Sequence, residues 1–210
     1  MSDVVLYDYW RSSASYRSRI ALNMAGIDYR AVSVDLLAKD HKSPEHVARN
    51  PQGLVPVLDI DGQRFTQSLA ILEYLDATRA MGLVSDDPVA AALQRAAAHA
   101  IAVDIHPVCN VSVAAFAVSE SGKEETRQNW MTRFIAPGLA AFETMIAPYA
   151  ERRFAMTDQP SLVDICLMPQ LYNADRWGVD YSMHPNIVKA AAACAAVPAF
   201  ENAHPDSVKS

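Results

Sequence analysis

Two adjacent serines, Ser12 and Ser13, stand in the stretch YWRSSASYRSRIAL, just behind the apolar run VVLYDYW and at the opening turn of a predicted helix. Where a strand hands over to a helix, free backbone N–H groups and the positive end of the helix dipole favour an anion. A hydroxyl at that point can donate to a thiolate, a carboxylate or a phosphate. A sulfur held there ionises more easily, as cysteines at helix N-termini do. The same serines also suit the plain role of helix caps, which is the commoner use of such residues. Arg11 precedes the pair. Arg17 falls on the inward stripe with Ile20, Ala21 and Met24, an unusual place for a surface cation.

A second group lies in NPQGLVPVLDIDGQRFTQSLAILEYL. Val55-Pro56 leads into a strand, and a proline there marks an exposed backbone edge. A cis bond at that point would offer the N–H and C=O of Val55 to an extended ligand in the manner of an added strand. Gln67-Ser68 then heads another helix, a second anion site made of N–H groups and a hydroxyl. Edge strand and cap describe either half alone. Two helix starts and one strand edge together suit a peptide that carries carboxylates.

The elements that must position these residues are legible. VVLYDYW reads as a buried strand, ASYRSRIALNMAG as a helix ending at Gly26, and DYRAVSV as a second strand. VPVLDIDGQRFTQS is two strands joined by Asp61-Gly62, a strong hairpin dipeptide. SLAILEYLDATRA then has helical spacing. GLVSDDP reads as a linker. Beyond it strand signals vanish: VAAALQRAAAHAIAVDI, EETRQNWMTRFIAPGLAAFETMIAPY and SLVDICLMPQLYNADRW all read as helices, the last capped by Ser161 and Asp164. A small α/β unit followed by an all-helical unit makes two domains, closely packed because the linker is short.

Composition narrows the partners. The chain has 210 residues, 51% hydrophobic and 20% charged, with a formal charge of −6. That balance argues against nucleic acid, which needs a basic face. No run approaches the roughly twenty apolar residues of a membrane span, and no signal-peptide pattern is seen. Cys109, Cys166 and Cys194 lie far apart in Ala- and Val-rich surroundings, so reduced, buried thiols in a cytoplasmic protein are expected. Cys109 beside Asn110 reads as helix packing. Taken alone, His41 and His106 read more readily as ordinary polar residues than as ligand contacts, and neither has a second ligand at metal spacing. No metal is expected.

YWRSSASYRSRIAL resembles the serine-pair signature of the zeta-class glutathione transferases, the maleylacetoacetate isomerases. NPQGLVPVL with QSLAILEYL resembles their glutathione site, and SLVDICLMPQLYNADRWGVD their C-terminal helix segment. The resemblance runs from about Val4 to the AFENAHPD tail. The second stretch alone would point only to the wider glutathione transferase superfamily. The serine pair with Arg11, and the segment around Arg176, make the zeta class the specific match.

The resemblance implies a thioredoxin-like N-terminal domain over residues 1–82 and an all-helical domain over 88–210, with glutathione as cofactor. Ser12 and Ser13 match the serines that stabilise the glutathione thiolate, within a loop and helix start that includes Ala14, Ser15, Tyr16 and Arg17. Val55 matches the residue pairing with the glutathione backbone, and Gln67 and Ser68 match the γ-glutamyl binders. His41 falls where relatives place a Gln or His near the glycine end. DIHPVCNVS resembles family segments that bring His106, Asn110, Val111 and Ser112 to glutathione; His106 and Asn110 are four apart, nominally on one helical face, with Pro107 expected to kink it. Arg11 and Arg176 match a role on an acidic substrate. The family cysteine is Ala14 here, so a thiol cannot act at that position.

The implied reaction is glutathione-dependent cis–trans isomerisation of maleylacetoacetate to fumarylacetoacetate in aromatic amino acid catabolism, by thiolate addition, bond rotation and elimination. The rivals are isomerisation of maleylpyruvate, transferase or dehalogenase action on small α-halo acids, and a non-catalytic binding protein of the same fold. The family also implies a homodimer.

Overall fold

The computed structural model describes residues 4–209. The chain divides into two compact units. One runs to Gly82 and takes in the chain from Val197 onward; the other is Leu83–Ala196.

The first unit begins with β1 (Val5–Asp8), α1 (Ser13–Met24) and β2 (Arg30–Ser33), then a 3₁₀ turn at Asp40–Lys42 and the short α2 (Pro44–Arg49). β3 (Val57–Ile60), β4 (Gln63–Thr66) and α3 (Ser68–Arg79) follow. The four strands form one sheet in the order β2-β1-β3-β4. β1 runs parallel to β2, with Val5 opposite Arg30, and antiparallel to β3, with Leu6 opposite Leu58. The inner strands β1 and β3 are buried at three of four positions, which is why VLYD and VLDI are apolar almost throughout. The outer strands RAVS and QRFT are largely exposed and polar. Asp61 and Gly62 turn the β3–β4 hairpin with φ of 53° and 75°, the two left-handed positions that the Asp-Gly pair supplies.

α1 is buried at every residue from Ser15 to Leu22, because α3 and the end of the chain both pack on it. That end consists of α10 (Pro198–Ala203) and α11 (Pro205–Val208). Here the expected division at 88–210 is corrected: the chain from Val197 belongs to the first unit. The reason is Arg19. It is 1% exposed; Nη1 donates to both carboxylate oxygens of Asp8 at 2.9 Å, Nη2 to the Trp10 carbonyl at 2.9 Å and Nε to the Ala203 carbonyl at 3.0 Å. Asn23 Nδ2 adds a bond to the Ala199 carbonyl, and the rings of Tyr16 and His204 meet edge to face at 5.9 Å.

The second unit holds α4 (Pro88–His99), a wide π turn at Ala100–Ile105, α5 (His106–Val108), α6 (Val111–Ser121), α7 (Glu125–Ile146), α8 (Leu162–Arg176) and α9 (Pro185–Ala195). The expected linker is not free. Leu83 is buried and its carbonyl accepts from the Leu162 N–H, while Ser85 N–H donates to Gln94 Oε1 at 2.7 Å. Asp87 caps α4 through Ala90 N–H, with Pro88 in its first turn.

α8 runs through the centre of this unit. Ser161 and Asp164 form the expected capping box, and Asp164 Oδ1 also accepts from Ala155 N–H. Burial nevertheless pushes the Asp164 carboxyl up. α7 touches the π turn at Gly138, where a Cβ would sit 2.4 Å from Ile105 Cδ1, so a larger residue would have to displace the Ile105 side chain. The three cysteines are buried and none is in a disulfide.

Pro88–Ser121 is long and apolar enough to cross a membrane on those two criteria, with 28% of its most apolar window buried. Its backbone is not one continuous α-helix, since the π turn and Asn110 interrupt it.

Candidate active site

Ser12 is the N-cap of α1, extended at φ −70° and ψ 124°, and its Oγ accepts from Ser15 N–H at 3.3 Å. A hydroxyl that accepts keeps its own hydrogen, so the cap role leaves Ser12 able to donate outward. Ser13, half-buried in the first turn, makes no side-chain hydrogen bond among the described residues. The N–H groups of Ser13 and Ala14 precede the helical ladder and face the same end. This helix start therefore carries two hydroxyls with hydrogens to donate and unpaired amides.

Ser15 and Tyr16 are buried, and their N–H groups are already used by Ser12 Oγ and the Ser12 carbonyl. They contribute packing. Arg11 is half-buried, its guanidinium 5.2 Å from the centre of the Trp10 ring; Lys209 Nζ lies 5.0 Å from the same ring.

The second anion site is built around Arg17. It is 3% exposed, as its place on the inward stripe predicts, and Nε donates to Ser68 Oγ at 3.0 Å. Ser68 opens α3 and is itself 5% exposed. The residue before it, Gln67, has φ 66° and ψ 110°, a conformation that costs a non-glycine residue about 1–3 kcal/mol. No side chain caps this helix start. Its free N–H groups and the Ser68 hydroxyl proton thus share one corner beside the buried guanidinium, a setting that favours a carboxylate.

Gln67 is exposed and its Nε2 donates to Gln52 Oε1 at 2.7 Å, tying the α3 start to the loop before β3. In that loop the Val55-Pro56 bond is cis. Val55 lies ahead of β3, and neither its N–H nor its C=O has a backbone partner among the described residues. His41 sits in the 3₁₀ turn, half-buried, with Nδ1 buried and without a partner. Desolvation first, and then the neighbouring Lys42 charge, hold this imidazole below its ordinary range, so it is neutral at pH 7.

In the second unit, His106 opens α5, but Asn110 is not on the same helix. α5 stops at Val108, and Asn110, extended at φ −64° and ψ 146°, caps α6 instead. The expected kink at Pro107 is thus a π turn before the proline and a full break after it. Asn110 Oδ1 accepts from the N–H and the hydroxyl of Ser112, which leaves its Nδ2 to donate elsewhere. Val111 and Ser112 are exposed. Arg176 ends α8. Along its row Ile165 is buried, Met168 and Tyr172 half-buried and Arg176 exposed, with the guanidinium 5.7 Å from the Trp177 ring. The Cys109 thiol is pushed up to about 11 by burial, which makes it no nucleophile.

Sequence reasoning missed Arg19 and the residues that hold the Val55 loop, namely Lys42, His46 and Asn50. A signal for Arg19 existed: two arginines two apart cannot both face solvent on a helix start flanked by apolar residues.

Comparison with known proteins adds the following. Residues 2–77 match the family described as Glutathione S-transferase, N-terminal domain. A maleylacetoacetate isomerase of Rhizobium meliloti is 55% identical over 99% of both chains. The holo structure of a maleyl pyruvate isomerase, described as a bacterial zeta-class glutathione transferase, superposes with a TM-score of 0.94 at 35% identity over 98% of both chains. A maleylacetoacetate isomerase of Methylobacterium extorquens, solved with malonate and glutathione bound, superposes with a TM-score of 0.90 at 37% identity over 97% of both chains.

Proposed function

This chain belongs to the glutathione transferase family, in its maleylacetoacetate isomerase branch, and we propose that it catalyses the glutathione-dependent isomerisation of maleylacetoacetate to fumarylacetoacetate. The observation that carries the reading is the Arg17–Ser68 pair at 3.0 Å beneath the uncapped start of α3. An uncapped helix start that also offers a hydroxyl donor favours an anion, and the γ-glutamyl carboxylate of glutathione is one.

Bound glutathione supplies a sulfur nucleophile that is regenerated at the end of each cycle. The chain's own residues do the rest. Ser12 and Ser13 donate to the thiolate and keep it ionised, with the α1 dipole behind them. Val55 pairs its N–H and C=O with the cofactor backbone, Gln67 and Ser68 hold its γ-glutamyl end, and His41 lies toward its glycine end as a neutral donor or acceptor. His106 and Asn110 are the contacts assigned to the helical unit. Arg11 and Arg176 are the cations assigned to the carboxylates of the substrate, since the planar guanidinium pairs with a carboxylate through two bonds. Ala14 removes any role for a protein thiol at the signature position, so the hydroxyls and helix end carry thiolate stabilisation.

The likeness to a maleyl pyruvate isomerase favours that related diacid as a second reading. Turnover of maleylacetoacetate against maleylpyruvate, each with and without glutathione, tests both. Activity on neither, or activity independent of glutathione, would sink the assignment.

The further reading is a cytoplasmic homodimer. Val89, Leu93 and Ala96 are exposed and recur at spacings of four and three along α4, a seam that suits a second copy of this chain. Leu93→Glu should shift the sedimentation coefficient from dimer to monomer. A parent protein that already sediments as a monomer would end this reading.

A further inference from the structure

The loop Gln52-Gly53-Leu54-Val55 has no strand partner, yet Val55 must present its backbone at a fixed place if it is to pair with a cofactor. The carbonyls that lead to it are held from one side. Lys42 Nζ donates to the Gln52 and Gly53 carbonyls at 3.4 and 3.2 Å. The Leu54 carbonyl takes two bonds, from His46 Nε2 and from Asn50 Nδ2, both at 2.9 Å. Asn50 Oδ1 also accepts from Gln52 N–H at 3.1 Å. Gly53 completes the close approach: its φ is 59°, and a Cβ there would sit 2.8 Å from the His41 carbonyl.

The Leu54 carbonyl and the Val55 N–H belong to one peptide plane. That bond is trans, so the two groups point in opposite directions. A carbonyl oxygen has two lone pairs, and here both are taken, by His46 of α2 and by Asn50 at its C-terminal cap. The plane can no longer rotate, and the Val55 N–H is aimed away from α2. Asn50 reaches Leu54 from four residues away and would hold a local turn in any case. His46 comes from the body of α2 and is 1% exposed. Its Nε2 must carry the proton, because a carbonyl only accepts; its Nδ1 is buried with no partner in the chain.

We propose that His46 is a positioning residue for glutathione, acting through the Leu54 carbonyl to aim the Val55 N–H. This rests on the glutathione reading above. His46→Phe keeps a ring of similar bulk and removes the donor. It should raise the glutathione Kd and KM roughly 3- to 10-fold, the range one net hydrogen bond supplies. The kcat at saturating glutathione should stay within about twofold, since the contact lies away from the reacting sulfur. His46→Gln, whose amide can donate to the same carbonyl, should recover most of the affinity.

Calorimetric titration of the parent with glutathione comes first. A parent that binds none overturns the functional reading and this inference together. A parent that binds, with His46→Phe unchanged, overturns the inference alone. So does a loss in kcat with KM unmoved, or one that glutamine fails to restore. Nitrogen NMR of the parent's imidazoles needs no variant: a proton on His46 Nε2 is expected, and one on Nδ1 alone would overturn the assignment.

Discussion

Replacing Ser12 and Ser13 by alanine, singly and together, separates the two roles that a helix-start hydroxyl can play. Ser12 accepts from Ser15 N–H at 3.3 Å, a long bond, so losing it should cost stability near the low end of the capping range, about 0.5–1 kcal/mol. Ser13 makes no such bond, and Ser13→Ala should leave the melting temperature where it is. The effect on chemistry should differ in kind. A hydrogen bond to a charged group contributes about 1.5–3 kcal/mol, and one pKa unit is about 1.4 kcal/mol. Each lost donor should therefore raise the pKa of the bound glutathione thiol by about 1–2 units. The double variant should titrate near the free thiol value of about 8.5. The same loss in the transition state is worth about 3 kcal/mol, roughly a hundredfold in kcat. The ultraviolet absorbance of the thiolate, followed against pH in the binary complex, reads the first quantity; single-turnover isomerisation reads the second. Glutathione affinity, set mainly by the α3 site, should change little. If the double variant isomerises at the parent rate and its bound thiol titrates where the parent's does, the serines are caps and nothing more.

Arg11→Met and Arg176→Met should each raise the KM for a diacid about tenfold or more while barely changing glutathione affinity. A neutral ester analogue should lose little, and equal losses for acid and ester would make both arginines structural. Arg19→Met strands the Asp8 carboxylate in the core and should cost about 3–5 kcal/mol in urea unfolding; Arg19→Met with Asp8→Asn should recover part of it, because no unpaired charge remains. The Cys109 thiol has its folded pKa raised to about 11, above the unfolded value. The stability it contributes is full below about pH 8.5 and is lost as pH rises toward 11. The fall in melting temperature between pH 9 and 11 should be shallower in Cys109→Val, and an identical fall would show the thiol to be irrelevant.

Features carried by neighbours in sequence could be read; features carried by distant partners could not. Asp61-Gly62 announces its hairpin because two adjacent left-handed residues are a local demand, and Ser161 with Asp164 announces α8 for the same reason. Ser12, Ser13 and Ser68 were visible as helix starts, and Arg17 as a cation on an inward stripe. That Arg17 meets Ser68 was not visible, since 51 residues separate them. The tail from Val197 follows an all-helical half in sequence, and nothing local says that it packs against the first unit. Leu83 and Ser85 looked like linker because their partners, Leu162 and Gln94, are fixed only by tertiary packing. Pro107 warned of a break without saying that it would take the form of a π turn and a new cap at Asn110. His46 attracted no notice because its partner is a backbone carbonyl, which sequence does not distinguish from any other.

The closure of Arg19 on the Ala203 carbonyl bears on the order in which the protein can be made. A ribosome delivers β1, α1 and the hairpin well before residue 203 has left the exit tunnel. For all that time the buried guanidinium has Asp8 and Trp10 but lacks the third partner that the finished chain provides. The first unit is thus translated early and completed late, with the whole helical unit produced in between. Nascent chains stalled at residue 196 should leave α1 open to protease, and chains stalled after residue 209 has emerged should protect it. The helices after Val197 act as a receipt for what precedes them: only a chain made past residue 203 can shut the core that residues 8 and 19 began.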